Sequence, residues 1–97
     1  MSIKKLNNDN RSMATVYESY DSGEIDGTTT EVEVTPSETV AQLMINPLVA
    51  STVKLNDSEK EIYLPAGVWT PISVLTDSFT IKTVSESGKI YWQGWIL

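Results

Sequence analysis

Residues 78–97 read SFTIKTVSESGKIYWQGWIL, and the reading of this stretch decides the fold. Phe79, Ile81 and Thr83 alternate with Thr80 and Lys82, the two-residue period of a half-buried strand. Ser85-Glu86-Ser87-Gly88 is turn chemistry. Lys89 to Leu97 then reads as a second strand, with Ile90 and Trp92 on one face and Tyr91 on the other. Gly94 suggests a bulge, which leaves the face of Trp95 open. Two such strands joined by a short turn make an antiparallel pair with one side toward a core and one toward water.

The same grammar repeats toward the N-terminus. Val68-Trp69-Thr70-Pro71-Ile72-Ser73-Val74 is β-prone, and Pro71, which cannot donate to a ladder, assigns it to an edge or a bulge. Glu61 to Leu64 alternates and stops at Pro65-Ala66-Gly67. Thr52 to Leu55 alternates and stops at Asn56-Asp57-Ser58. Val40 to Ile45 could begin a short helix after Pro36-Ser37-Glu38-Thr39, but Asn46-Pro47 closes it within about one and a half turns, so a strand is expected. Thr28 to Thr35 alternates, with Thr30, Val32 and Val34 on one face and Glu31 and Glu33 on the other. Ala14 to Tyr20 is β-prone and is expected to end in a turn at Asp21-Ser22-Gly23. Short strands at regular spacing with turn signals between them predict an all-β fold. The expected architecture is a single small β-sandwich, jelly-roll or Ig-like, of about seven or eight antiparallel strands over residues 14–97. Residues 1–13 are polar and without periodicity, and are expected to form an extended N-terminal arm. No segment has the apolar length of a membrane helix, and Met1 to Asn8 lacks the apolar centre of a secretory signal.

Composition narrows the chemistry. The 97 residues include no histidine and no cysteine. Disulfides, thiolate metal sites and Ser-His-Asp or Cys-His mechanisms are therefore excluded. Net charge is −6, and residues 1–50 hold three basic against eight acidic side chains. Such a chain repels phosphates, so no nucleic-acid partner is expected, nor a membrane. Asp21 to Gly27 has the composition of a metal loop but not the ligand order of an EF-hand, and a turn is the expected reading. Glu31 and Glu33 form a carboxylate pair of the kind used in glycoside chemistry, but so small a sandwich seldom provides the cleft, so a solvated face is expected. No cofactor, metal site or catalytic residue is expected, and the chain is read as a non-enzyme.

The aromatics Tyr63, Trp69, Tyr91, Trp92 and Trp95 crowd the last third. Core and protein-interface packing is the expected role, with stacking on sugar rings as the rival. The apolar ending Trp95-Ile96-Leu97 is expected to pair in a sheet or a subunit contact.

Residues 51–95 carry a resemblance. Leu64-Pro65-Ala66-Gly67 with Trp69, Pro71 and Ile72, then Ser78 to Thr83, then Ser87-Gly88 with Ile90 to Trp95, resemble small virion proteins of tailed bacteriophages. The resemblance covers about half of the chain. It implies a head decoration or cement protein, or a head-fibre or neck component: a structural β-sandwich that binds the lattice of the major capsid protein and copies of itself, often as a trimer. The expected location is the virion, assembled in the host cytoplasm. A head–tail connector, neck or tail component is the first alternative, and a carbohydrate-binding β-sandwich the second. Expected packing or interface residues are Ile3 and Leu6 in the arm, with Trp69, Tyr91, Trp92, Trp95 and Leu97.

Overall fold

The computed structural model describes residues 19–96. The expectations for the arm with Ile3 and Leu6, for a strand over residues 14–18, and for Leu97 lie outside the described residues. Within them there are eight strands and no helix: β1 (Ser19–Gly27), β2 (Val32–Val34), β3 (Gln42–Pro47), β4 (Ser51–Leu55), β5 (Ile62–Leu64), β6 (Thr70–Ile72), β7 (Phe79–Thr83) and β8 (Gly88–Ile96). They form two four-stranded antiparallel sheets, ordered β1-β8-β3-β6 and β2-β7-β4-β5. Successive strands swap sheets except at the β4–β5 hairpin. This interleaved order of two Greek keys is the jelly roll, one of the two sandwich types expected. Residues 40–45 fall in a strand region as expected, with Val40 bridging Thr76 ahead of β3.

The core lies between the sheets, where alternation sends one side chain in two. Leu43 and Ile45 from β3, Val53 from β4, Phe79 and Ile81 from β7 and Ile90 from β8 are almost wholly buried. Phe79 meets the Trp92 ring edge-on, with centroids 5.5 Å apart and planes at 77°. That contact joins the two sheets in the geometry aromatic pairs prefer. Pro71 lies in β6, an edge strand, as its missing N–H requires.

Two expectations are corrected. Asp21-Ser22-Gly23 is not a turn, and Asp21 to Gly27 is not a loop: all seven residues belong to β1, paired in continuous register with β8. Composition favours a turn there, but Trp92 decides otherwise. A Cβ on Gly23 would sit 2.6 Å from the indole nitrogen, so this glycine makes room for the ring inside a strand. Gly94 is not at a bulge either. It pairs in unbroken register with Asp21 on one side and Leu43 on the other. A Cβ there would lie 2.6 Å from Val40 Cγ1, so close packing of Val40 explains the residue. Without the bulge, β8 alternates strictly, burying Ile90, Trp92 and Ile96 and turning Tyr91, Gln93 and Trp95 outward.

The turns are tied by side chains. Asn56 has a left-handed backbone, φ 53°. Its side chain donates to the Leu75 carbonyl at 3.1 Å and accepts from the Asp77 N–H at 2.7 Å. That clamps the β4–β5 turn to the β6–β7 loop, a role that suits an Asn able to adopt this conformation.

Candidate binding surfaces

The two outer faces of the sandwich are built from different residues. On the β2-β7-β4-β5 sheet the outward positions carry Glu31, Lys54 and Lys82, with Glu59 and Glu61 beside them. Lys54 Nζ lies 3.0 Å from Glu31 and 3.4 Å from Glu59, and Lys82 Nζ lies 3.6 Å from Glu61. The hydrogen bond from Lys54 lowers the Glu31 carboxyl below its ordinary pKa, and Glu31 in turn raises the Lys54 ammonium. Glu31 and Glu33 are exposed on this face, as the alternation predicts.

On the β1-β8-β3-β6 sheet the outward rows follow from register. Tyr20, Trp95 and Gln42 lie side by side, then Ser22, Gln93, Met44 and Pro71, then Glu24, Tyr91 and Asn46. Trp69 precedes Thr70, the partner of Ile45, so alternation from Pro71 puts it on this side next to Asn46. Tyr20 and Trp95 are in tilted contact, ring centroids 5.5 Å apart. Charge is confined to one end, where Lys89 Nζ lies 2.8 Å from Glu24 and 2.5 Å from Asp26. Those bonds, Asp26's foremost, raise the Lys89 ammonium far above its ordinary value.

The ends of the sandwich also differ. The segments 28–31, 48–50, 65–69 and 84–87 meet at one end. Backbone hydrogen bonds knit them: Gly67 to Pro47, Leu48 to Lys89, Val84 to Ala50 and Thr83 to Thr28. There Leu48, Val68, Trp69 and Val84 are 50%, 49%, 40% and 54% exposed. The carboxylates in these segments are Glu31, already paired with Lys54, and Glu86. At the opposite end, segments 35–41, 56–61 and 73–78 carry Glu38, Asp57, Glu59, Lys60, Glu61 and Asp77, together with the exposed Val74 and Leu75.

The expected interface residues therefore separate. Trp92 is core. Tyr91 and Trp95 are half-buried on the outer face of the β1-β8-β3-β6 sheet. Trp69 is exposed where that face meets the loop end. Leu48, Val68 and Val84 escape sequence reading because strand termini distant in the chain bring them together. Asn46 and Gln93 escape it because a single amide in a strand carries no signal.

Among the described residues no group of three or more acidic side chains could hold a metal ion. The fold and its surfaces define an all-β jelly-roll module. Compared with known proteins, the chain matches no protein-family model and no curated sequence.

Proposed function

We propose that the chain is a non-enzymatic virion structural protein of a tailed bacteriophage. In this reading it decorates or stabilises the head by binding the lattice of the major capsid protein, in contact with further copies of itself. The observation that carries the reading is the loop end where four large apolar side chains, Leu48, Val68, Trp69 and Val84, stand open to water beside the Lys89 ion pairs and Glu86. Clustered exposed apolar side chains mark protein contact more often than chance. The Leu64-Pro65-Ala66-Gly67 run and Trp69, which carry part of the phage resemblance, build this end. Jelly rolls recur in capsid domains and also in lectins, so the fold itself is support by analogy. A patch of four side chains binds weakly in one copy, and repetition over a symmetric lattice would supply the avidity.

The test is to purify the phage particles and probe them for the chain, then to add back Leu48→Ser and Val68→Ser variants. The chain should be present in many copies per particle. Both variants should fold normally and be displaced by wild type. Absence of the chain from purified particles would overturn the proposal.

A further inference from the structure

We propose that the outer edge of β1 is a latent strand-pairing site for a second copy of this chain, kept closed by the Asp21 carboxylate, which pins the backbone at Ser37 beside it. The device is independent of what the loop end binds.

The edges of the two sheets are built unequally. β2, β5 and β6 end their sheets with three residues each, and β6 carries Pro71. Short strands and proline are common ways to blunt an edge. β1 ends its sheet with nine residues in unbroken register with β8, and it has no proline, lysine or bulge. Among the described residues no strand pairs with its outer side.

The hydrogen bonds of β8 tell which groups that outer side presents. The Leu48 N–H donates to the Lys89 carbonyl and the Ala41 N–H to the Trp95 carbonyl, so the odd-numbered residues of β8 bond toward β3. Trp92 and Gly94 therefore bond toward β1, where they meet Gly23 and Asp21. Alternation then turns the N–H and carbonyl groups of Tyr20, Ser22, Glu24 and Asp26 off the edge. The Ser22 N–H agrees, since it donates to Asp21 Oδ1 at 2.9 Å. The other carboxylate oxygen, Oδ2, accepts the Ser37 N–H at 2.9 Å from sixteen positions along the chain. One carboxylate thus occupies the Ser22 donor and holds the β2–β3 connection next to it.

Register identifies the occupant. Two copies of β1 can pair antiparallel about a two-fold axis at Gly23, a self-complementary contact. Ser22 then meets Glu24 of the second copy and Tyr20 meets its Asp26, so the outward-turned backbone groups form the rungs and no carboxylate stands opposite another. That register needs the Ser22 N–H. A pairing confined to Glu24 and Asp26 sets carboxylates opposite one another, and like charges directly opposite are destabilising. Lys89 relieves this only in part, because one ammonium serves both carboxylates. Charge therefore guards one half of the edge and Asp21 the other.

The experiment is sedimentation equilibrium of the full chain, read with amide hydrogen exchange. Asp21→Ala should sediment at twice the wild-type mass, and its Glu24 amide should exchange more slowly than in wild type. Glu24→Pro added to Asp21→Ala should restore the wild-type mass, because proline removes an edge donor without touching the ladder to β8. Thermal melts identify a variant that fails to fold. Asp21→Val, a stronger strand former, then replaces Asp21→Ala with the same doubling expected, and the Glu24 amide alone decides where the proline variant does not fold. The proposal is overturned if the folded Asp21 variant keeps the wild-type mass, if its Glu24 amide gains no protection, or if the heavier species survives Glu24→Pro. A wild-type dimer that Glu24→Pro dissolves would also overturn it, by showing that the edge is not closed.

Discussion

The two outer faces of this sandwich solve the same problem in opposite ways. Both are half-exposed antiparallel sheets of four strands. The β2-β7-β4-β5 face pairs its lysines with carboxylates. The β1-β8-β3-β6 face sets aromatic, thioether and carboxamide groups outward and keeps its ion pairs to the row of Glu24, Asp26 and Lys89. A face laced with ion pairs keeps a protein in solution. A face of aromatic and amide groups is suited to contact. The difference teaches that two half-exposed faces of one small β domain are told apart by which outward groups are ion-paired, not by how much of each is exposed.

The largest way to break this comparison is on β8 itself, where neighbouring residues serve opposite sides. Trp92→Ala should cost about 3–5 kcal/mol in urea unfolding, as for other buried aromatics. Tyr91→Ala should cost far less, because Tyr91 lies on the outward face of β8 and is only partly buried. Equal costs would mean that the faces of β8 are misassigned.

Gly94 sharpens it next. Gly94→Ala puts a methyl against Val40 and should cost about 1–3 kcal/mol of overpacking. Val40→Ala in the same chain should recover part of that loss, a non-additivity expected of groups in contact. Strict additivity in the double variant would remove the packing explanation.

A smaller effect concerns the join between β1 and the β2–β3 connection. Asp21 accepts from the Ser37 N–H at 2.9 Å, which holds its carboxyl below the ordinary value of 3.8. A depressed carboxyl contributes stability above its unfolded pKa and loses it as pH falls through the folded one. Asp21→Asn should therefore melt below wild type at neutral pH, and the two melting curves should converge below pH 3.8.

The smallest effect is expected on the charged face. Lys54→Ala should leave the melting temperature nearly unchanged, and any difference should vanish in high salt, because solvent screens exposed pairs.

Much of the fold was legible in the sequence because burial and alternation coincide. Thr52 to Leu55, Glu61 to Leu64 and Ser78 to Val84 read as strands on side-chain period alone. Pro71 pointed to an edge or a bulge, and β6 is an edge strand. What failed was glycine. Gly23 and Gly94 carry the local signals of a turn and a bulge, yet both make room for a side chain arriving from elsewhere, Trp92 and Val40. Local reading cannot see such a neighbour. The candidate surfaces were legible in part. Trp69, Tyr91 and Trp95 stood out by residue type, but their separation from Trp92 needed the unbroken register of β8. The loop end needed the whole topology, since Leu48, Val68 and Val84 converge from three connections.

The central proposal is that contact is made through the loop end of Leu48, Val68, Trp69 and Val84, away from the Lys54–Lys82 face. Hydroxyl-radical footprinting of the chain free and bound to phage particles tests this most directly. Trp69, at the loop end, and Tyr63, 61% exposed on the ion-paired face, are both open to labelling in the free chain. The account predicts that Trp69 becomes protected on the particle while Tyr63 labels as before. Protection of Tyr63 with Trp69 still open would contradict it.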